Sequence, residues 1–392
     1  MRTLLTRWFP PMKILQVVPF FAEKRAGEVN ACFNLSKQLA HRGHDVTIVT
    51  TDFELDNRCV NLVTNAGARL IPFQCAMNVQ LLLISPSIRK WLVHHIKAFD
   101  IVHLHTWRSY QNAVVHNYAT RRHVPYVLQA HGSGSPQTEK RNLKRLFDWV
   151  SGAGLLADAC RLIAVSEAEV VQYVDNGADK NKIAIIPNGI DTSRYRELPP
   201  RGQFRNQYDI TTEKVILYIG RLHRRKGIDF LIAAFDSVAR AIPDSTLVIA
   251  GPDEGYSRKA YELVKSRGLQ DRVRFVGFVD DPRAAYRDAD VLVYPAEQEI
   301  FGLVVLEAIM CGTPVIVAEG CGCGNLVQAG NFGSVVRYGD VDQLETAIIH
   351  LIQDSNESRE MVRRGKRYIE QNLAWNLITQ KIEGLYEEAT DC

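Results

Sequence analysis

The sequence predicts an α/β protein with two doubly wound, parallel-sheet domains, each of the Rossmann-like kind. The chain has 392 residues, which is too long for a single compact core of the usual size. Short apolar segments typical of buried parallel strands alternate with helical segments. One such series begins at Lys13 and a second at Val215. Each half of the chain is therefore expected to form its own domain.

Composition narrows the class of protein. Hydrophobic residues make up 46% of the chain, charged residues 23%, and the net charge is +3. These values are ordinary for a globular protein, and so small a positive balance predicts no general affinity for nucleic acid. No apolar run reaches the roughly 18 residues that cross a bilayer. The eight cysteines show no paired framework, and with no signal peptide recognised we expect a reducing, cytoplasmic setting.

The first domain is predicted to begin at Met12, and residues 1–11 are interpreted as a short extension or a misassigned start. A strand at Lys13–Val18, a loop ending at Gly27, a helix and a strand at Val46–Thr50 form a β-α-β unit. Neither Gly27 nor Gly220, after the two candidate first strands, opens a G-x-G-x-x-G turn. A nicotinamide-dependent enzyme is therefore not expected.

Histidines follow later strands of this domain. In the predicted strand Ile101–His105, alternation places His103 and His105 on one face, and such residues are more often core or cleft side chains than ligands. The strand Tyr126–Ala130 ends at His131, and ligands of open parallel sheets bind at the carboxyl ends of strands. His131 is therefore the candidate site residue here, with a hydrogen-bonded loop histidine as the alternative.

The stretch from Val79 to Ala98 contains a basic, amphipathic helical segment. A helix of this kind can lie on an anionic membrane surface. A core helix with a solvated basic face is the favoured alternative. The basic residues are Arg89, Lys90, His94, His95 and Lys97, and the apolar ones are Trp91, Leu92 and Ile96.

The end of the first domain is marked by turn and cap signals. Ser166 is predicted to cap the helix that follows the strand Arg161–Val165. Asn188-Gly189 marks a turn, and the polar, proline-containing segment Thr192–Thr212 is predicted to be the linker between the domains.

Cations cluster where the second domain begins. The strand Val215–Ile219 ends in Gly220, and four of the six residues from Arg221 to Lys226 are arginine or lysine. Positive charge at the carboxyl end of a strand and before a helix is typical of a phosphate site. A solvated run of charge is the alternative.

Two glutamates frame a later helix. Glu299 precedes Phe301 and Gly302, and Glu307 lies within an apolar run that ends at Gly312. The free N–H groups and the positive dipole end of this helix suit a phosphate or a sugar oxygen. Glu307 needs a partner in such apolar surroundings. An amphipathic helix with one ion-paired glutamate is the alternative.

Two patterns imitate metal sites. Cys321 and Cys323, with Cys311 nearby, match no zinc spacing and are interpreted as small buried residues in a glycine-rich loop. The pair Asp288 and Asp290 resembles a metal-binding Asp-x-Asp but immediately precedes a buried strand. No metal site is predicted.

These motifs resemble the retaining glycosyltransferases of family 4, whose GT-B fold has two Rossmann-like domains facing a central cleft. The resemblance rests on Glu299-x(7)-Glu307 with Phe301 and Gly302 inside it, and on the Gly-Arg-Leu to Lys-Gly pattern of residues 220–227. It covers almost all of residues 12–391. One departure lies at Gly320–Asn325, where the family usually has a proline and a glutamate.

The resemblance implies an acceptor-side domain at 12–195, with the last helix, 375–391, packing back on it, and a nucleotide-sugar domain at 205–372. It implies that Arg221 and Lys226 bind the diphosphate, that Glu299 contacts the donor sugar and that Glu307 holds the ribose. His131 would lie beside the donor sugar. The implied catalytic residues are Arg221, Lys226, Glu299 and His131. The implied donor-binding residues are Gly27, Gly220, Val279, Phe301, Gly302, Leu303 and Glu307.

The implied reaction is metal-independent hexosyl transfer, with retention, from a UDP- or GDP-sugar to a glycan, a lipid-linked or a small-molecule acceptor. It needs no cofactor, and it would serve polysaccharide or glycolipid biosynthesis in the cytoplasm or at the inner face of the membrane. A nucleotide-sugar epimerase of the same fold and a non-catalytic nucleotide-sugar-binding subunit are the alternatives. A non-catalytic subunit would be expected to lack several charged residues of the donor site. All four of these are present: Arg221, Lys226, Glu299 and Glu307.

Overall fold

A computed structural model describes residues 9–22, 26–55, 57–79, 82–134, 147–148 and 152–392. The chain forms two compact units: Met1–Gly189 with Trp375–Cys392, and Ile190–Ala374. Both are Rossmann-like, with helices joining the strands of a parallel sheet, as the sequence predicts.

In the described part of the first unit, seven parallel strands form a sheet of order β3-β2-β1-β6-β7-β8-β9, and β4 and β5 pair separately in antiparallel fashion. The order reverses between β1 and β6, so the loops after these strands diverge there. The strands are β1 (Lys13–Val17), β2 (Asp45–Thr51), β3 (Arg69–Phe73), β4 (Met77–Val79), β5 (Leu82–Ile84), β6 (Ile101–His105), β7 (Tyr126–Gln129), β8 (Arg161–Ala164) and β9 (Ile183–Ile185).

The helices of the first unit cover both faces of this sheet with apolar side chains. The helices are α1 (Ala26–His41), α2 (Asn57–Asn65), α3 (Ser87–His95), α4 (Tyr110–Arg122), α5 (Ala153–Ala157) and α6 (Glu167–Asp175). After the second unit the chain returns here in a last helix, Trp375–Thr390. Its Tyr386 is fully buried, and Gln16 Nε2 of β1 donates to the Tyr386 hydroxyl over 3.2 Å. The last helix therefore packs within the first unit.

The second unit has a six-stranded parallel sheet of order β12-β11-β10-β13-β14-β15 within the residues described. Its order reverses between β10 and β13. The strands are β10 (Lys214–Ile219), β11 (Ser245–Ala250), β12 (Val273–Gly277), β13 (Val291–Tyr294), β14 (Val315–Ala318) and β15 (Ser334–Val336). The helices are α7 (Gln203–Gln207), α8 (Ile228–Ala241), α9 (Ser257–Ser266), α10 (Arg283–Asp288), α11 (Leu303–Cys311), α12 (Gly322–Gly330), α13 (Val341–Gln353) and α14 (Ser355–Asn372), and the last helix is α15.

The prediction that Thr192–Thr212 is a linker is wrong, because this segment is folded within the second unit. It contains a 3-10 turn at Thr192–Tyr195 and helix α7. The Asp288 carboxylate accepts hydrogen bonds from the backbone N–H groups of Gly202 (2.6 Å) and Phe204 (2.9 Å). Asp288 therefore caps α7 through a contact 84 residues distant in sequence from Phe204, which local sequence patterns do not reveal.

Three smaller predictions are also corrected. Gly27 lies in the first turn of α1, not in the preceding loop. Phe9 is buried, so the interpretation of residues 1–11 as lying outside the fold is wrong at that position, and residues 1–8 lie outside the described part. Ser166 has the extended backbone of a cap residue, but its side chain makes no capping hydrogen bond.

Helix α3 uses its apolar residues in the core. Leu92 and Ile96, the latter just after the helix, are fully buried, and the Trp91 ring stacks on His95 with 4.7 Å between centroids. Arg89 and Lys90 are exposed. The structure thus shows a core helix with a solvated basic face. Among the described residues, no helix is both long and apolar enough to cross a membrane.

Candidate active site

The candidate site of the second unit lies where its strand order reverses. β10 and β13 are neighbours in the sheet, and the chain leaves their carboxyl ends toward Arg221 and Glu299 respectively. This is the position at which open parallel sheets bind ligands. Two motifs that are far apart in sequence therefore follow adjacent strands.

Lys226 and Glu299 form an ion pair at this edge. Lys226 Nζ lies 2.7 Å from Glu299 Oε2, and the two side chains are only 9% and 19% exposed. The Tyr294 hydroxyl donates to the same oxygen over 2.7 Å. Because the pair is shielded from water, its attraction is stronger than that of a surface pair.

The second oxygen of Glu299 also has partners. Its Oε1 accepts from the backbone N–H groups of Ile300 (2.9 Å) and Phe301 (3.2 Å). Burial by itself would raise the pKa of Glu299, but the Lys226 ammonium, the Tyr294 hydroxyl and the Phe301 N–H hold that pKa at about 2. Glu299 is therefore an ionised, oriented acceptor at neutral pH.

Two glycines permit the turns of this site. Gly302 has φ 75°, and an added Cβ would lie 2.7 Å from Cys323 Cβ. Helix α11 begins at the next residue and ends before Gly312, as predicted. Gly227 has φ 69°, and its Cβ would lie 2.1 Å from the Pro295 carbonyl oxygen. Both positions require glycine because an L side chain is strained at positive φ and would clash.

Glu307 lies inside α11 and has the partners that the sequence requires of it. Its side chain is partly buried, and the Tyr286 hydroxyl donates to Oε2 over 3.0 Å. Burial raises the pKa of Glu307, while hydrogen bonds from Tyr286 and Tyr195 and the charge of Arg194 oppose the rise. The two glutamates thus have separate partners, on the loop and within the helix.

Arg221 is not brought against Glu299. Its side chain is 61% exposed, and its Nη1 lies 2.9 and 3.1 Å from the two carboxylate oxygens of Glu254. Of the two cations expected to bind the diphosphate, Lys226 is therefore shielded and Arg221 is exposed. The exposed arginine can reorient at little cost because surface ion pairs are weak.

The other predicted donor-binding residues lie at several places. Gly220 directly follows β10, and Val279 lies just beyond β12, partly buried. Phe301 is buried immediately before α11, and Leu303 is its first residue. Gly27 belongs to the first unit.

His131, the site residue predicted in the first unit, follows β7 with a left-handed backbone, φ 50°. Its Nε2 lies 2.9 Å from His105 Nδ1, and the two rings stack with centroids 5.2 Å apart. Burial lowers the pKa of His131 to about 3. His103 and His105 share one face of β6, as predicted, and their rings stack at 4.2 Å.

Sequence reasoning missed two residues near this histidine. Gln16 Oε1 lies 2.7 Å from His105 Nε2, and the Gly132 N–H donates to the Glu169 carboxylate over 2.5 Å. Glu169 also accepts from the Val165 N–H over 2.7 Å. A polar residue in the middle of the apolar strand β1 was the available signal for Gln16.

The cysteine pair lies at the start of a helix and not within a loop, which corrects the prediction. Cys321 is the residue before α12 and Cys323 lies in its first turn; both are buried, as predicted. Their sulfur atoms are 3.3 Å apart. In the described part of the chain, no group of three or more His, Cys, Asp or Glu side chains is arranged as a metal site.

Asp288 and Asp290 both serve the backbone. Asp288, at the end of α10, caps α7 as described above. Asp290 Oδ2 accepts from the Val215 N–H over 2.8 Å and lies 3.2 Å from Arg205 Nη2. The pair therefore holds α7 and the start of β10 through backbone and side-chain contacts.

The two Rossmann-like units define the fold of the GT-B glycosyltransferases. Residues 200–368 match the model of the glycosyl transferases group 1, and residues 26–194 match the model of glycosyltransferase family 4. The chain therefore belongs to the glycosyltransferases of group 1 and family 4 type, as its motifs predict.

Relatives support the assignment along the chain. An uncharacterised glycosyltransferase of Methanocaldococcus jannaschii is 26% identical over 375 residues, covering 92% of this chain and 94% of the relative. A D-inositol 3-phosphate glycosyltransferase of Rhodococcus opacus is 30% identical over 327 residues, covering 78% of this chain and 71% of the relative.

Solved structures share the fold. Anabaena HepE in complex with UDP and glucose superposes with a TM-score of 0.78 at 22% identity, covering 95% of this chain and 98% of that chain. WaaG, a glycosyltransferase involved in lipopolysaccharide biosynthesis, superposes with a TM-score of 0.68 at 20% identity, covering 96% and 98%.

Proposed function

We propose that this glycosyltransferase moves a hexosyl group from a UDP- or GDP-sugar to an acceptor hydroxyl, with retention of configuration at the anomeric carbon. The observation that carries the proposal is the shielded Lys226–Glu299 pair at the switch point of the second sheet, 2.7 Å between Nζ and Oε2. Anabaena HepE, which has the same fold, was crystallised with UDP and glucose. A nucleoside diphosphate sugar is the ligand class that this comparison favours.

The proposed role of the cations is to stabilise the leaving group. As the glycosidic bond stretches, negative charge develops on the diphosphate, and Lys226, Arg221 and the free N–H groups at the start of α11 are the donors proposed to meet it. Lys226 and the helix N–H groups are already in place and need no reorganisation during the reaction, whereas Arg221 would first leave its exposed contact with Glu254. The proposed catalysis therefore needs no metal ion.

Glu299 is proposed to orient the donor sugar. Because its carboxylate is ionised and already accepts from Lys226 and Tyr294, it is suited to accept from a sugar hydroxyl and not to attack carbon. We therefore propose a front-face route, in which a departing phosphate oxygen takes the proton of the acceptor hydroxyl on the same side. Glu307 is assigned to the ribose hydroxyls. His131 of the first unit is the fourth proposed catalytic residue.

The acceptor is proposed to be a hydroxyl of a glycan, a lipid-linked sugar or a small polyol. Several relatives are named D-inositol 3-phosphate glycosyltransferases, so a polyol phosphate is one of the candidate acceptors to be tested. The exposed basic face of α3 would support a peripheral contact with an anionic membrane if the acceptor is a lipid.

A donor screen tests this proposal. UDP- and GDP-hexoses are incubated with the protein, with and without candidate acceptors, and release of the nucleoside diphosphate is measured in the presence and absence of EDTA. We expect acceptor-dependent release that EDTA leaves intact, and a product whose anomeric proton coupling matches that of the donor. Acceptor-independent conversion to an epimer would favour the epimerase alternative. Binding without release from any donor would favour a non-catalytic subunit.

A further inference from the structure

A chain of hydrogen bonds runs through the buried interior of the first unit and ends at His131. His131 Nε2 lies 2.9 Å from His105 Nδ1, and His105 Nε2 lies 2.7 Å from Gln16 Oε1. Gln16 Nε2 donates to the Tyr386 hydroxyl over 3.2 Å. Gln16, His105 and Tyr386 are each fully buried. The last helix, α15, thus reaches His131 through two intervening side chains.

The Gln16 amide has its nitrogen toward Tyr386 and its oxygen toward His105. The Tyr386 oxygen lies 2.7 Å from His103 Nδ1. Burial lowers the pKa of His103 to about 3, so this ring is neutral, and with its own proton on Nε2 its Nδ1 accepts the Tyr386 proton. The Tyr386 oxygen then accepts from Gln16 Nε2, which leaves Gln16 Oε1 facing His105.

The proton positions of the two histidines follow from this orientation. An amide oxygen can only accept, so His105 must carry its proton on Nε2. Burial lowers the pKa of His105 well below its usual value, so the ring is neutral and its Nδ1 is an acceptor. His131 Nε2 must then be the donor between the two rings. A neutral His131 with its proton on Nε2 has a lone pair on Nδ1.

That lone pair has no partner among the described residues. His131 Nδ1 is buried and makes no hydrogen bond. The ring is also held in place, because it stacks on His105 at an interplanar angle of 11° and the next N–H, of Gly132, donates to Glu169 over 2.5 Å. A buried polar atom without a partner is costly, so a ligand that supplies one would bind favourably here.

We propose that Gln16 and His105 are positioning residues that hold His131 as its Nε2–H tautomer, so that Nδ1 accepts a hydrogen bond from a hydroxyl group of the bound ligand. With a lone pair on Nδ1, His131 favours a ligand group that donates a hydrogen bond. A phosphate or carboxylate oxygen can only accept, so it would place a second acceptor against Nδ1. Identification of that hydroxyl with a substrate hydroxyl rests on the proposed function. The tautomer does not.

The test reads the tautomer directly. Imidazole nitrogens are observed by NMR in the full-length protein labelled with ¹⁵N-histidine, and the His131 signals are identified by their loss in His131→Asn. In the wild type we expect a protonated Nε2 and a bare Nδ1 at neutral pH. Gln16→Leu removes the acceptor of His105, and the His131 signals should then show a mixture of tautomers. Gln111→Leu is the matched control, because Gln111 is also a buried glutamine of the first unit but donates to the Leu83 carbonyl over 2.8 Å.

Kinetic measurements distinguish the loss of a positioning contact from a general loss of structure. With the donor and acceptor identified by the screen, Gln16→Leu should lower kcat by about 10-fold, the effect of one misplaced hydrogen bond, and leave the affinity for the nucleoside diphosphate unchanged. A protonated Nδ1 in the wild type, or a bare Nδ1 that persists unchanged in Gln16→Leu, would overturn the proposal. The predicted tautomer in a protein that transfers no sugar would support the positioning role while overturning the proposed function.

Discussion

Lys226 and Glu299, which are 73 residues apart in sequence, form a shielded ion pair with 2.7 Å between Nζ and Oε2. Each residue has a proposed contact with the donor, so the pair links the diphosphate side of the candidate site to the sugar side. Removing either partner leaves the other charge poorly compensated, which is costly in a shielded environment.

Loss of the cations should slow turnover. Lys226→Ala and Arg221→Ala are each expected to lower kcat/KM by roughly 10- to 1000-fold, since each removes a charge-assisted contact with the leaving diphosphate. The larger loss is expected for Lys226→Ala because that lysine also holds Glu299 in place.

The matched control for these variants is Arg258→Ala. The Arg258 side chain is 93% exposed on α9 and should be dispensable. Initial rates with a saturating acceptor measure all three variants. If both site variants retain wild-type rates, the assignment of the diphosphate to these cations is wrong.

Glu169 should make stability depend on pH. Burial raises its pKa to about 7 from 4.5, although the N–H groups of Val165 and Gly132 oppose the rise. The folded protein therefore binds more protons at this site than the unfolded chain between these two values. The contribution of Glu169 to stability is present below the unfolded pKa and is lost as pH rises through the folded pKa, a change of about 3 kcal/mol.

Thermal unfolding of the wild type and of Glu169→Gln between pH 5 and pH 8 measures this effect. The midpoint of the wild type relative to the variant should fall as pH rises. Glu167→Gln, an exposed neighbour on the same helix, should run parallel to the wild type. A constant difference between the wild type and Glu169→Gln would show that Glu169 titrates normally.

The basic face of α3 should bind anionic vesicles by charge alone. Leu92 and Ile96 are buried in the core and cannot insert into lipid without unfolding, so binding should occur at low salt and be lost at high salt. Flotation with anionic and neutral vesicles measures it, and Lys90→Gln with Lys97→Gln should reduce it. Lys265→Gln on α9 is the control. Failure of the wild type to float with anionic vesicles at low salt would favour a soluble acceptor.

The sequence predicts well those features that depend on neighbouring residues. Helix α11 begins and ends where Gly302 and Gly312 take left-handed conformations, and glycine is the usual residue for such positions. The alternation of β6 likewise places His103 and His105 on one face. The doubly wound sheets follow from the same local patterns, repeated along the chain.

Features that depend on distant partners were not predictable in this way. The segment Thr192–Thr212 has the composition of a linker, but Asp288 caps the helix within it. The glycines around Cys321 and Cys323 suggest a loop, although α12 begins at Gly322, directly after Cys321. Gln16 stands out as polar in an apolar strand, but only the fold brings it to His105. Such contacts follow from sheet order, which a single sequence does not specify.

The central claim is that Glu299 and Glu307 hold different halves of one nucleotide sugar, and calorimetry with the product nucleotide tests it most directly. UDP and GDP are titrated into the wild type, Glu299→Ala and Glu307→Ala, and initial rates with the intact donor are measured beside them. Glu307→Ala should weaken nucleotide binding by about 10- to 100-fold, as expected for loss of a hydrogen bond to a charged group. Glu299→Ala should leave nucleotide affinity nearly unchanged while turnover falls, because a sugar contact that tightens in the transition state appears in the rate. Equal losses of nucleotide affinity in the two variants would contradict this division of the site.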